Sequence, residues 1–105
     1  MALEIELTND TGKPLIHARG EVDLYASPAL RDAILKAIPK AQGALGIELS
    51  QVEYMDSSGV ATLVEGLKSA NATKLEFILV APSPSVMKVL HLARLDSVFT
   101  IVEQF

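Results

Sequence analysis

Apolar and polar side chains change their spacing several times along this chain, and each change marks an element. Leu3, Ile5 and Leu7 alternate with Glu4, Glu6 and Thr8, the period of two of a half-buried strand. Asn9-Asp10-Thr11-Gly12 is turn chemistry, and a second strand at Pro14 to Arg19 makes the pair a hairpin. Gly20-Glu21-Val22-Asp23 leads out of it. Ser27-Pro28 then predicts a helix start, a capping hydroxyl followed by proline at the first helical position. Leu30, Ala33, Ile34, Ala37 and Ile38 form one apolar stripe at helical spacing, and Pro39 ends it.

Leu45, Ile47 and Leu49 predict a third strand, followed by a short loop from Ser50 to Met55. The helix beyond it carries Val60, Leu63, Val64 and Leu67 inward and Thr62, Glu65 and Lys68 outward, until Asn71-Ala72-Thr73 breaks it. Leu75 to Val80 is nearly continuous apolar, as a strand covered on both faces should be. Ser83-Pro84 repeats the helix-start signal, with Val86, Val89, Leu90 and Ala93 as the inner stripe, and a last short strand falls at Thr100 to Val102. The order β-β-α-β-α-β-α-β implies an α/β fold, a mixed and mostly parallel sheet opened by an antiparallel hairpin and covered by helices.

Composition narrows what such a fold does. A chain of 105 residues is expected to form one domain, 1–105, with enough core to stand without staples. The longest apolar stretch, Phe77 to Pro82, falls well short of the roughly 20 residues that span a bilayer. The opening M-A-L-E-I-E lacks the basic region and apolar core of a signal peptide, so neither export nor membrane insertion is expected. With no Cys, disulfides and thiolate metal sites are excluded, which suits a reducing cytoplasm.

The 13 acids outnumber the 9 bases, and Lys13, Arg19, Arg31 and the other bases are scattered, so no phosphate-neutralising patch points to nucleic acid. Catalysis lacks its parts as well. His17 lies in the second strand and His91 on the third helix, next to the expected core positions Leu90 and Leu92, each alone and without metal-ligand spacing. Neither a G-x-S-x-G elbow nor a G-x-x-x-x-G-K loop is present. The reading is of a non-catalytic protein with no cofactor and no metal.

What remains is Tyr54 to Val64, Y-M-D-S-S-G-V-A-T-L-V, where two hydroxyls stand between a carboxylate and a glycine at the start of an amphipathic helix. A helix start has unpaired N–H groups and a positive dipole end, so it tolerates an added phosphate. Asp56, Ser57 or Ser58 serves equally well as an ordinary N-cap. Gly59 either lets a partner approach the first turn or lets the helix pack closely on the sheet. Tyr54, Met55, Val60 and Leu24-Tyr25 are candidates for an exposed apolar docking face. Tyr54 and Met55 could equally be core, and Tyr25 is more in keeping with a hydrophobic brace than with an anchor.

Four features in order give the whole chain a resemblance to the STAS domain of bacterial anti-anti-sigma factors. They are Gly20-Glu21-Val22-Asp23 closing the hairpin, the pair Tyr54-Met55, Asp56-Ser57-Ser58-Gly59 opening a helix, and Ser83-Pro84-Ser85-Val86 after the next strand. The chain departs from the family at Asn71-Ala72-Thr73 and at Ala93-Arg94-Leu95-Asp96, where a glycine is usual. The resemblance implies phosphorylation at Ser57 and a partner-binding face of Asp23, Tyr25, Tyr54, Met55, Asp56, Ser57, Ser58, Gly59 and Val60. It further implies a serine-kinase anti-sigma factor of the histidine-kinase-like ATPase type as partner, which brings ATP and Mg²⁺, and a phosphatase that resets the switch. The chain is similar as well to the STAS domains that serve as small cytoplasmic subunits of ABC phospholipid transporters, where the same helix docks on the ATPase; that role is the alternative the resemblance implies. Membrane-anchored anion transporters carry the fold too, but no membrane segments precede Met1, so that form is not expected.

Overall fold

The computed structural model describes residues 2–9 and 12–105. The chain forms one five-stranded sheet in the order β1-β2-β3-β4-β5. Strand β1 (Glu4–Thr8) runs antiparallel to β2 (Leu15–Val22), as the hairpin pattern predicts. Strands β3 (Ala44–Met55), β4 (Glu76–Val80) and β5 (Thr100–Val102) follow in parallel. Helices α1 (Ser27–Ala37), α2 (Ser57–Ala72) and α3 (Pro84–Leu92) supply the crossovers, and α2 packs between α1 and α3. Parallel neighbours need such crossovers, so every helix begins at the carboxyl end of a strand. The predicted α/β architecture and element order are the observed ones. Of the predicted turn Asn9–Gly12, Asp10 and Thr11 lie outside the described residues.

The apolar stripes meet where the periodicity puts them. Ile16, Ala18 and Val22 from β2, Leu30 and Ile34 of α1, Leu63 of α2 and Leu45, Ile47 and Leu49 of β3 share one hydrophobic core, all nearly or fully buried. Besides Leu92 of α3, three inward or outward assignments differ. Thr62 is buried because its hydroxyl donates to the Ser58 carbonyl at 3.0 Å, which removes the cost of burying it. Ala93 is exposed beyond the last turn of α3, and Leu7, at 48% exposure, gains no cover on the edge strand.

Two elements are longer than the pattern suggested. Strand β2 continues through Gly20-Glu21-Val22, and β3 takes in Ser50 to Met55, predicted as a loop. The buried positions of β3 run Leu49, Val52, Met55, three apart instead of two. The structure absorbs the phase change with two register shifts against β2, one between His17 and Arg19 and one between Gly20 and Glu21. Each shift sets an extra β3 residue opposite its neighbour, the geometry of a bulge, which bends the strand and re-aims its end. Gly20 has φ +109°, and a Cβ there would come within 2.4 Å of the Ala2 carbonyl oxygen, so the position requires glycine.

The helix ends also resolve the two departures from glycine. Lys74 (φ 59°) and Arg94 (φ 60°) occupy the left-handed position after α2 and α3. After α2, Lys74 N–H donates to Asn71 O and Leu75 N–H to Ala70 O; after α3, Arg94 N–H donates to His91 O and Leu95 N–H to Leu90 O. Both are Schellman ends, built with a side chain where glycine costs least.

Candidate functional site

Strands β2 and β3 end side by side, with Val22 opposite Met55, and the Asp56 N–H donates to the Val22 carbonyl at 3.2 Å. The two exits differ from there. After β2 the chain makes a short loop before α1. The Asp23 carboxylate accepts the N–H groups of Tyr25 (3.1 Å) and Ala26 (2.9 Å), and the Ser27 N–H donates to Asp23 O at 2.9 Å. Ala26 is therefore the N-cap of α1 and makes no side-chain cap. The predicted capping role of Ser27 is corrected: the helix starts one residue earlier than expected, so Ser27 is already its first residue and its hydroxyl donates back to Leu24 O at 3.4 Å. This loop leaves Leu24 66% and Tyr25 90% exposed. Tyr25 is not a brace, since a bracing ring would be covered.

After β3 there is no loop. Asp56 is the N-cap of α2, and Ser57 is already helical. The Asp56 Oδ1 atom accepts the N–H groups of Ser58 (2.9 Å) and Gly59 (3.3 Å) and the Ser58 hydroxyl. The Ser58 hydroxyl foremost, then the N–H groups of Gly59, Ser58 and Leu24, hold the Asp56 carboxyl below the ordinary carboxylate range against the opposing effect of burial. The two serines thus separate. Ser58 is half-buried and engaged with Asp56, whereas Ser57 is exposed and its hydroxyl has no partner among the described residues.

Gly59 faces inward. A Cβ there would come within 2.6 Å of Met55 Cγ, 2.9 Å of Val22 Cγ1 and 3.1 Å of Val22 O. Of its two readings, close packing of helix on sheet is the one the geometry realises. Met55 (4% exposed) and Val60 (7%) belong to the same core, which corrects their expected exposure as docking residues. Asp23, Leu24, Tyr25, Asp56, Ser57 and Tyr54, which is 49% exposed, are the predicted site residues left near the surface.

A feature not singled out in the sequence adjoins them. A cleft of about 290 Å³ lies between the end of β3 and α3, lined by Tyr54, Glu53, Lys88, Val89 and Leu92 among others. Leu92, expected in the core beside Leu90, is 71% exposed, because it falls off the inner stripe that Val86, Val89 and Leu90 form on α3. The histidines stand apart from Ser57. His17 pairs across the sheet with Glu6 and Glu48, and His91 lies in the last turn of α3, where its ring meets Asp96 at 3.1 Å. Among the described residues no cluster of three or more His, Asp or Glu is placed to hold a metal ion, and no helix is long and apolar enough to cross a membrane.

Comparison with known proteins agrees with this geometry. The STAS domain family matches residues 3–105. The anti-sigma-B factor antagonist of Listeria monocytogenes is 29% identical over 102 residues, 96% of this chain and 90% of that protein. The crystal structure of an anti-sigma factor antagonist from Mycobacterium paratuberculosis superposes with a TM-score of 0.83 at 28% identity, covering 99% of this chain and 88% of that one. SpoIIAA, a Bacillus cell fate determinant, is similar in its phosphorylated form, with a TM-score of 0.71 at 27% identity over 95% of this chain and 90% of its own. The chain belongs to the STAS domain family.

Proposed function

We propose that this chain is a cytoplasmic anti-sigma factor antagonist that works by partner switching. It binds a serine-kinase anti-sigma factor of the histidine-kinase-like ATPase type, and phosphorylation at Ser57 releases it. The kinase contributes ATP and Mg²⁺, this chain contributes the hydroxyl, and a phosphatase resets the switch. The chain is a substrate and a binding module, not an enzyme. The names of its relatives support the antagonist role, and the existence of a phosphorylated form of SpoIIAA supports a reversible modification.

The observation that carries the reading is the division of labour between the two serines. Ser57 is exposed with a free hydroxyl at the first position of α2, while Ser58 is engaged with Asp56. Phosphorylation there adds about −1.5 to −2 charges and three strong acceptor oxygens. The new charge follows directly after the Asp56 carboxylate and sits on a backbone already locked to the sheet, so the domain need not change shape. A partner that had closed over a neutral serine now has to bury an unpaired anion. That costs several kcal/mol, enough to release it. The exposed pair Leu24 and Tyr25 on the adjoining loop supplies apolar area for the unmodified complex.

The test is a pull-down from the native host with tagged wild type beside Ser57→Asp, partners being identified by mass spectrometry. Recovery of a small serine kinase by the wild type alone is the expected result. Recovery of an ABC ATPase with its permease by both proteins would move the chain to lipid transport and make Ser57 a docking residue.

A further inference from the structure

We propose that the Asp56 carboxylate occupies the anion seat at the start of α2, so that a phosphate on Ser57 is kept out of that seat and presented to the partner. This rests on the reading of Ser57 as the modified residue and says how the modification becomes visible. A helix start with free N–H groups is the ordinary resting place for a nearby phosphate. A phosphate that folded back into it would be partly neutralised and would repel a partner less. Here the seat is taken. The Ser58 N–H, the Gly59 N–H and the Ser58 hydroxyl all donate to Asp56 Oδ1. Asp56 is anchored from behind as well, by its own N–H on the Val22 carbonyl. Gly59 lies hard against Val22 and Met55, so the first turn has no room to shift and open a second seat.

The charged groups around this point offer a phosphate little else. Asp23 on the β2–α1 loop is acidic, and its carboxylate already holds the Tyr25 and Ala26 N–H groups. Glu21 lies opposite Tyr54, one residue before the end of β2, and Glu53 lies two residues before the end of β3. On α1 the Arg31 guanidinium is held by Glu65 of α2 at 2.7 Å. Lys88 on α3 lines the cleft beside Glu53. The phosphate's immediate neighbour is a carboxylate, which disfavours the dianion, whereas helix N–H groups would favour it. Asp56 is accordingly a positioning residue for the switch.

The full chain carrying phosphoserine at position 57, installed during translation so that no kinase is needed, tests this by ³¹P and amide-proton NMR titration. In the otherwise wild-type chain the second phosphate pKa lies above its ordinary value of about 6. The Ser58 and Gly59 amide protons do not follow its titration. Asp56→Asn keeps the cap and removes the charge, so the phosphate pKa moves down toward the ordinary value with those amides still unmoved. Asp56→Ala vacates the seat: the pKa falls below about 6, and both amides shift downfield as the phosphate ionises. A phosphate that titrates below about 6 in the wild-type chain with both amides following it has displaced Asp56 and overturns the proposal. So does an Asp56→Ala titration indistinguishable from wild type. Because the phosphoserine is installed directly, these results stand whatever kinase the pull-down does or does not recover.

Discussion

The starts of α1 and α2 stand side by side at the carboxyl ends of adjacent parallel strands, and each uses an aspartate to satisfy two backbone N–H groups. They spend that aspartate differently. Asp23 sits well before its helix and holds a loop, which pushes Leu24 and Tyr25 into solvent. Asp56 is the cap itself, so the chain passes from strand to helix without a loop, and Ser57 inherits the rigidity of the core. One junction therefore presents apolar area on a short loop, and the other presents a single hydroxyl on the first turn of a helix. Under the proposed switch, a charge added at Ser57 acts without a change of shape, because the residue is held at a helix start that is capped and bonded to the sheet.

Substitutions at the two junctions should then fail in opposite ways. Gly59→Ala should be the most damaging to stability, since the added methyl meets Met55, Val22 and the Val22 carbonyl. Over-packing of this kind costs about 3 kcal/mol at its upper end, read as a lowered denaturant midpoint. Tyr25→Ser should leave stability within about 0.5 kcal/mol of wild type, because the residue is 90% exposed, yet weaken the partner complex by about 2 kcal/mol. A Tyr25→Ser protein that unfolds early, or a Gly59→Ala protein that does not, would break the comparison.

Asp56→Ala should cost about 1 kcal/mol through the lost cap. Its sign with pH is defined by the lowered pKa of Asp56. A carboxyl whose folded pKa lies below its unfolded value stabilises the fold above the unfolded value, about 3.9, and that contribution disappears as pH falls through the folded value. The stability difference between wild type and Asp56→Ala should be constant near neutrality and shrink in acid. The smallest effects belong to the helix ends. Lys74→Gly and Arg94→Gly should each stabilise by about 0.5 kcal/mol, the relief of a left-handed side chain less the extra freedom of glycine when unfolded.

Much of this was legible in the residues, and the misses share a cause. Element order, the hairpin and the three helical stripes follow from periodicity, which burial enforces directly. The end of β3 did not, because Leu49, Val52 and Met55 keep a spacing of three that only bulges against β2 reconcile with a strand. Local polarity also misjudged Thr62 and Ser27, whose hydroxyls are satisfied by backbone carbonyls within their own turn. At the site, the pattern D-S-S-G left open which residue caps. Asp56 takes that part because it reaches two N–H groups and the Ser58 hydroxyl at once, and this frees Ser57. The exposure of Tyr25 and the cleft beside Leu92 depend on how separate elements meet, and a linear pattern carries no signal for that.

The most direct measurement is calorimetric binding of the partner recovered from the host to wild type, Ser57→Ala and Ser57→Asp, with folding of each verified by its denaturant midpoint. Ser57→Ala is expected to bind as wild type does, and Ser57→Asp to be equally stable but to bind at least tenfold more weakly, a loss of about 1.4 kcal/mol or more. Equal affinity for all three proteins would contradict the proposed charge switch.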